Sequence, residues 1–147
     1  FIDTKTMVFG ALQREGKVRT RIIPDATKES LLNAVQESVV KGSVMVSDEH
    51  SGYRQLKHEY RHAKVNHSAK EYVRGNVHTN TLEGFWSLLK RQILGIHHFV
   101  SPKHLQRYCD EAAYRYNVRK QPQDTKFLYV LTNCEGRLRY NDLIKKA

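Results

Sequence analysis

The sequence predicts an α/β domain, a mixed sheet flanked by helices, and three observations carry that prediction. Two runs of β character are joined by a turn, a short apolar run follows an amphipathic helix, and helical periodicity dominates the second half of the chain. Residues 6–13, Thr-Met-Val-Phe-Gly-Ala-Leu-Gln, read as a strand, and Arg14-Glu15-Gly16-Lys17 as the turn after it. Val18 to Ile23 alternates apolar and polar side chains, which predicts a half-exposed second strand and an antiparallel hairpin. Pro24-Asp25-Ala26-Thr27 stops that strand, with Thr27 as N-cap of a helix over residues 28–40. Leu31, Leu32, Val35 and Val39 share one face of it. Beyond Lys41-Gly42, the run Ser43-Val44-Met45-Val46-Ser47 is short and apolar, which predicts a buried parallel strand with Asp48 at its C-terminal end.

Residues 51–62 are expected to form a short helix, and residues 63–73 leave room for one more strand. Thr79 or Asn80 caps a helix running through Ile93, which Gly95 ends. Ser101-Pro102 opens the next helix, with Leu105, Tyr108, Cys109, Ala112 and Tyr116 at helical spacing. Pro122 closes that region, and residues 125–147 read as a short helix, a turn at Gly136 and a last helical turn. The whole of 1–147 is expected to be one domain, with a further strand missing from the N-terminal edge of its sheet.

Composition narrows the function. Twenty-five Lys and Arg against fifteen Asp and Glu give a formal charge of +10. The cations recur along the whole chain, as in Arg14/Lys17/Arg19/Arg21, Lys90/Arg91 and Arg115/Arg119/Lys120, which suits a folded surface facing a polyanion such as nucleic acid. No apolar run approaches the ~18 residues of a membrane span, so no membrane partner is expected. With only Cys109 and Cys134, a disulfide scaffold and a four-cysteine zinc site are both excluded, and a reducing, intracellular setting fits best.

Two acids draw notice. Asp48 stands where an apolar strand meets a loop. Glu83 lies early in the helix beginning near Thr79, where it could also serve as a capping-box partner of Thr79 or Asn80. On that helix Leu82, Phe85, Leu89 and Ile93 form the buried stripe, whereas Asn80, Glu83, Ser87 and Lys90 form a separate polar one. A carboxylate and a lysine on one face, beside Trp86, suit a metal ion next to a phosphate backbone. Phosphodiester cleavage at two-metal sites needs such hard oxygen ligands, brought from distant positions onto rigid elements.

The stretch His78-Thr79-Asn80-Thr81-Leu82-Glu83-Gly84-Phe85-Trp86-Ser87-Leu88-Leu89-Lys90-Arg91 resembles the signature of insertion-sequence transposases of the ISXO-like group. Val8-Phe9-Gly10, Val46-Ser47-Asp48-Glu49 with Gly52-Tyr53, Val65-Asn66-His67-Ser68, the run from Val100 to Tyr108, and Arg115-Tyr116-Asn117 are similar to the same group, in the same order. The resemblance implies a ribonuclease-H-like mixed sheet and a DDE-type site that cuts and joins DNA with Mg²⁺ or Mn²⁺. Asp48 matches the second acid and Glu83 the third, with 34 residues between them. Lys90 matches the basic residue expected near the scissile phosphate; Arg91, His78, Asn80 and Trp86 are further candidates to position DNA. The resemblance also suggests a homodimer on paired element ends, in the prokaryotic cytoplasm at the nucleoid.

In this family the first aspartate lies on a strand upstream of Val8-Phe9-Gly10. Asp3 is the one acid near that place, just before the strand rather than on it, so the first acid is expected outside this chain and the domain is expected to be N-terminally truncated. Two alternatives keep the same fold: a DNA-binding module without catalysis, and a ribonuclease-H-like nuclease without joining activity. A third pattern, His58-Glu59-Tyr60-Arg61-His62, matches the H-E-x-x-H zinc-protease motif, but Arg61 sits inside it and its surroundings are polar, so solvated histidines are expected.

Overall fold

The structure is a computed structural model and describes residues 5–48, 51–64, 79–134, 136 and 139–144. Strand β1 (Met7–Leu12) pairs antiparallel with β2 (Val18–Ile23), with Leu12 opposite Val18 and Met7 opposite Ile23. Helix α1 (Lys28–Ser38) follows. Strand β3 (Val44–Ser47) then pairs in parallel with β4 (Arg61–Lys64), across a 3₁₀ helix at Ser51–His58. The second half is helical: α2 (Asn80–Gln92), a π-helical turn (Ile93–His97), α3 (Pro102–Asn117), α4 (Gln123–Thr132) and α5 (Tyr140–Ile144). Among the described residues the strands form two two-stranded sheets.

The hairpin is a wall covered on both sides, because successive strand residues face opposite ways. Phe9, Ala11 and Ile23 face α1 and pack with Leu31, Ala34, Val35, Leu56, Tyr60 and Met45 of β3. Val8, Leu12 and Val18 face the other way and pack with Phe85 and Leu89 of α2 and Cys109, Ala112 and Ala113 of α3. The alternation of Val18 to Ile23 predicts one wet face. Instead Val18 and Ile23 are both buried, each under a different helix layer.

Local signals explain the helix starts. The Thr27 side chain caps α1 by accepting from the Ser30 amide, and Asp25 accepts from the Thr27 and Ser30 hydroxyls. Pro102 sits in the first turn of α3 behind Ser101, as the sequence predicts. Three expectations are corrected. Gly95 does not end α2; the backbone continues as a π turn to His97, and His98, with φ of 59°, makes the stop. The segment after Asp48 is a 3₁₀ helix ending at His58, and β4 starts at Arg61, earlier than expected. Strand β3 is not buried throughout: Val44 is 70% exposed and only Ser47 is buried, because Met45 and Ser47 share the face turned to the α1-side core whereas Val44 is on the other.

The outer edge of β2 is closed by side chains rather than by a strand. The Asn117 amide accepts from the Val18 amide at 2.7 Å and donates to the Val18 carbonyl at 3.0 Å. The Gln106 amide accepts from Ile22 N at 2.7 Å and donates to the Thr20 carbonyl at 3.1 Å. Two amides on α3 thus occupy four backbone groups that would otherwise invite another strand. Past α3, α4 is fastened through Tyr114, whose ring stacks on Tyr129 and whose hydroxyl donates to the Lys126 carbonyl. Phe127 to Leu131 remain exposed.

Candidate active site

Asp48 lies immediately past the end of β3 and is exposed. Ser47 before it is buried, and its hydroxyl donates to the Asp48 carbonyl at 2.9 Å. The same hydroxyl lies 2.8 Å from Nε2 of His62 on β4. Tyr53, on the 3₁₀ helix, is half-buried against the α1-side core. Burial raises its phenol pKa above the ordinary value, and the negative charge of Asp48 adds to the shift. The strand end therefore gathers Asp48, Ser47, His62 and Tyr53.

Glu83 lies in the first turn of α2, exposed, and accepts from the Thr79 hydroxyl at 2.8 Å. Thr79 occupies the N-cap position without capping through its side chain, so the capping box that the sequence allows does not form. Asn80, Ser87 and Lys90 are exposed on the same helical stripe as Glu83, and the Ser87 hydroxyl donates to the Glu83 carbonyl. Arg91 is exposed one position on, with Nε 3.4 Å from the Ser87 carbonyl. A carboxylate near the positive end of the helix and cations near its negative end both agree with the helix dipole. The helix thus brings Asn80, Glu83, Ser87 and Lys90 onto one solvent-facing side, as the periodicity predicts, with Arg91 beside them.

Trp86 is half-buried rather than open to solvent. A Cβ built on Gly10 would come within 2.4 Å of Trp86 Cζ2, so β1 needs glycine there to admit the indole. The edge of Phe85 packs against the same ring at 5.3 Å between centroids. His78 and Asp3 lie outside the described residues. Asp48 follows β3, whose Met45 packs on the core at the α1 side of the hairpin, and Glu83 stands on α2, whose Phe85 and Leu89 pack in the core on the opposite side. Among the described residues, no group of three or more His, Cys, Asp and Glu side chains is arranged to hold a metal ion. The two acids are hard oxygen donors of the kind Mg²⁺ takes, one or two carboxylates beside substrate phosphates.

The H-E-x-x-H pattern is not a zinc site. Its helix stops at His58, and His62 stands on β4, so the two imidazoles do not share a helical face. Glu59 is engaged elsewhere: Lys41 Nζ lies 3.0 Å away and the Gln36 amide donates to it. These bonds, from Lys41 first and then Gln36, hold its carboxyl below the ordinary value. His97 packs its ring edge-on against Tyr108 at 4.6 Å, which gives this histidine a packing role.

Ser47, His62 and Tyr53 are the site neighbours that motif reading overlooks as chemistry. Gly52-Tyr53 stands within the resemblance, but the Ser47–His62 contact exists only once β3 and β4 pair. Gln106, Asn117 and Gly10, also within the resembling stretches, have structural roles here: two edge caps and a berth for Trp86.

The family model of the ISXO2-like transposase domain matches residues 2–117, which include both acids and end with α3. An uncharacterized transposase-like protein of Haemophilus influenzae is 26% identical over 102 residues, 69% of this chain and 81% of that protein. No solved structure matches. No helix among the described residues is long and apolar enough to cross a membrane. With most of its length matched by one family model, the chain belongs to the ISXO2-like transposase domain family.

Proposed function

We propose that this chain carries the catalytic core of a DNA transposase that cuts and joins DNA at insertion-sequence ends, with Asp48 and Glu83 as metal-holding acids. The observation that carries this reading is their placement: each is exposed at the end of a regular element, inside the family-matched region. When bound, Mg²⁺ or Mn²⁺ would activate the attacking oxygen and stabilise the leaving one. The chain's own part is to present two carboxylates from a strand end and a helix start. Lys90 and Arg91 would hold the DNA backbone along the same helix side, with Asn80 nearby, and Trp86 would act from its seat on Gly10. The net charge of +10 favours that contact and makes its strength depend on salt.

The sheet pairing supports a ribonuclease-H-like arrangement. With the outer edge of β2 capped, a further strand can join at β1 and β3. One strand antiparallel to β1 and parallel to β3 would merge the two pairs into a five-stranded mixed sheet with β2 and β4 outermost. The family's first acid would ride on that strand. The hairpin and β3 already share the core built on Phe9, Ile23 and Met45.

The test is Glu83→Gln in the full-length protein. Strand transfer is expected to disappear while salt-sensitive DNA binding stays. Retained strand transfer would remove Glu83 from the site. Metal-independent binding with no cleavage by the parent protein would favour the binding-module reading.

A further inference from the structure

We propose that Ser47 and His62 are positioning residues for Asp48, holding the strand end from which its carboxylate is presented to a divalent cation; this rests on the transposase reading above. A serine hydroxyl has one proton. Here it is directed to the Asp48 carbonyl oxygen at 2.9 Å. The direction of the 2.8 Å contact with His62 follows the tautomer, and in the proposed arrangement Nε2–H donates to Ser47 Oγ. The result is a directed chain, His62 Nε2–H to Ser47 Oγ–H to the Asp48 carbonyl, in which each bond polarises the next.

The fold sets this chain up. His62 lies opposite Met45 in the parallel register, two residues before the position opposite Ser47, so its ring reaches diagonally along the strand pair. Ser47 is the buried end of an otherwise half-exposed strand. Its hydroxyl therefore works away from bulk water, where a hydrogen bond is stronger and an unmade one costs more. The fixed carbonyl belongs to the residue that turns the chain out of the strand. Holding it restricts the backbone that carries the carboxylate, which is how a metal-binding acid is preorganised by residues that never touch the ion. Of the H-E-x-x-H pattern, only the last histidine is drawn into the site, and through a serine rather than through zinc.

The test uses the full-length protein with Mn²⁺ as probe, its binding followed by electron paramagnetic resonance, and the imidazole ¹⁵N shifts of His62 as an independent readout. The parent should show His62 protonated on Nε2. Ser47→Ala should move those shifts and weaken Mn²⁺ binding about tenfold, with the fold intact by circular dichroism. Ser47→Thr and His62→Gln, which keep a hydroxyl and a donor, should restore most of the affinity; His62→Leu should not. Unchanged Mn²⁺ binding in Ser47→Ala, or a His62 proton confined to Nδ1, overturns the proposal. Asp48→Asn separates this from the underlying reading. If Asp48→Asn abolishes binding while Ser47→Ala does not, only the positioning role falls. If Asp48→Asn also leaves binding intact, the assignment of Asp48 as a ligand falls and the positioning role goes with it.

Discussion

The two sides of the β1–β2 hairpin are covered by different means. On the Asp48 side the cover is local: α1 follows β2 after four residues, and the 3₁₀ helix and β4 follow closely. Its rim is polar and exposed, with Arg21 against Glu37, and Glu59 between Lys41 and Gln36. On the Glu83 side the cover comes from far along the chain. Helix α3 reaches back to β2, and its Asn117 lies 99 residues from the Val18 that it caps. The centre of that side is apolar, with Phe85 edge-on to Trp86 and Tyr116, and Cys109 fully enclosed. Exposed ion pairs contribute little to stability, whereas enclosed aromatic packing contributes several kcal/mol. Both sides enclose an apolar core, but the largest fully buried side chain among the described residues, Phe85, lies on the Glu83 side, which is therefore expected to carry the larger single contribution.

The sharpest break is Phe85→Ala. The side chain is 1% exposed and central, so a loss of about 3–5 kcal/mol is expected, read as a fall in the denaturant midpoint. Leu56→Ala on the other side is equally buried and should cost about 2–5 kcal/mol. A larger loss for Leu56→Ala than for Phe85→Ala would reverse the ranking of the two sides.

Next comes Gly10→Ala. The new methyl meets the Trp86 ring and must displace it, for about 1–3 kcal/mol. A quenched or shifted emission from the protein's single tryptophan would report the displacement. Gly84→Ala sharpens the contrast by going the other way. A Cβ there meets nothing within 4 Å, so removing an exposed mid-helix glycine should stabilise α2 by about 1 kcal/mol. Destabilisation at Gly84 would show that this helix face is covered.

The thiols give a milder probe of the same side. Burial, and then the charge of Asp110, push the Cys109 pKa up to about 11, while Cys134 is exposed. At pH 8 one thiol should label quickly and the other only as the Glu83-side core opens. Rapid labelling of both would mean that α3 is loosely seated.

The smallest effect concerns acid. Hydrogen bonds from Ser30 and then Thr27 lower the Asp25 pKa, and those from Lys41 and then Gln36 lower that of Glu59. A carboxyl whose folded pKa is depressed adds stability above its unfolded value, and that stability is lost as pH falls through the folded one. Both groups brace α1, so acid below about pH 4 should loosen the Asp48 side first, seen as faster amide exchange in α1 than in α3. Because Asp25 is exposed and Glu59 half-exposed, the difference should be modest.

The same contrast explains what could be read from residues alone. The hairpin, the Thr27 cap, the Ser101-Pro102 start and the stripe from Asn80 to Lys90 are local patterns, and each is where the sequence puts it. Asp48 at a strand end follows from five consecutive residues. What local patterns miss is long-range. Val18 and Ile23 look half-exposed until two helix layers close on opposite faces. Gln106 and Asn117 look like surface amides until α3 lies along β2. The H-E-x-x-H run looks like one helix until its last histidine pairs with Ser47 across β3 and β4. The π turn past Gly95 has no simple residue signature, since glycine usually marks a stop.

The most direct test of the central claim is a double-mutant cycle on Mn²⁺ affinity in the full-length protein, with Asp48→Asn, Glu83→Gln and both together. Acids that share bound ions act as a unit, and their losses do not add. The expected result is that each single variant binds Mn²⁺ far more weakly than the parent, and that the double variant is little worse than either. Losses that simply add, or a single variant that binds like the parent, would contradict a site shared by Asp48 and Glu83.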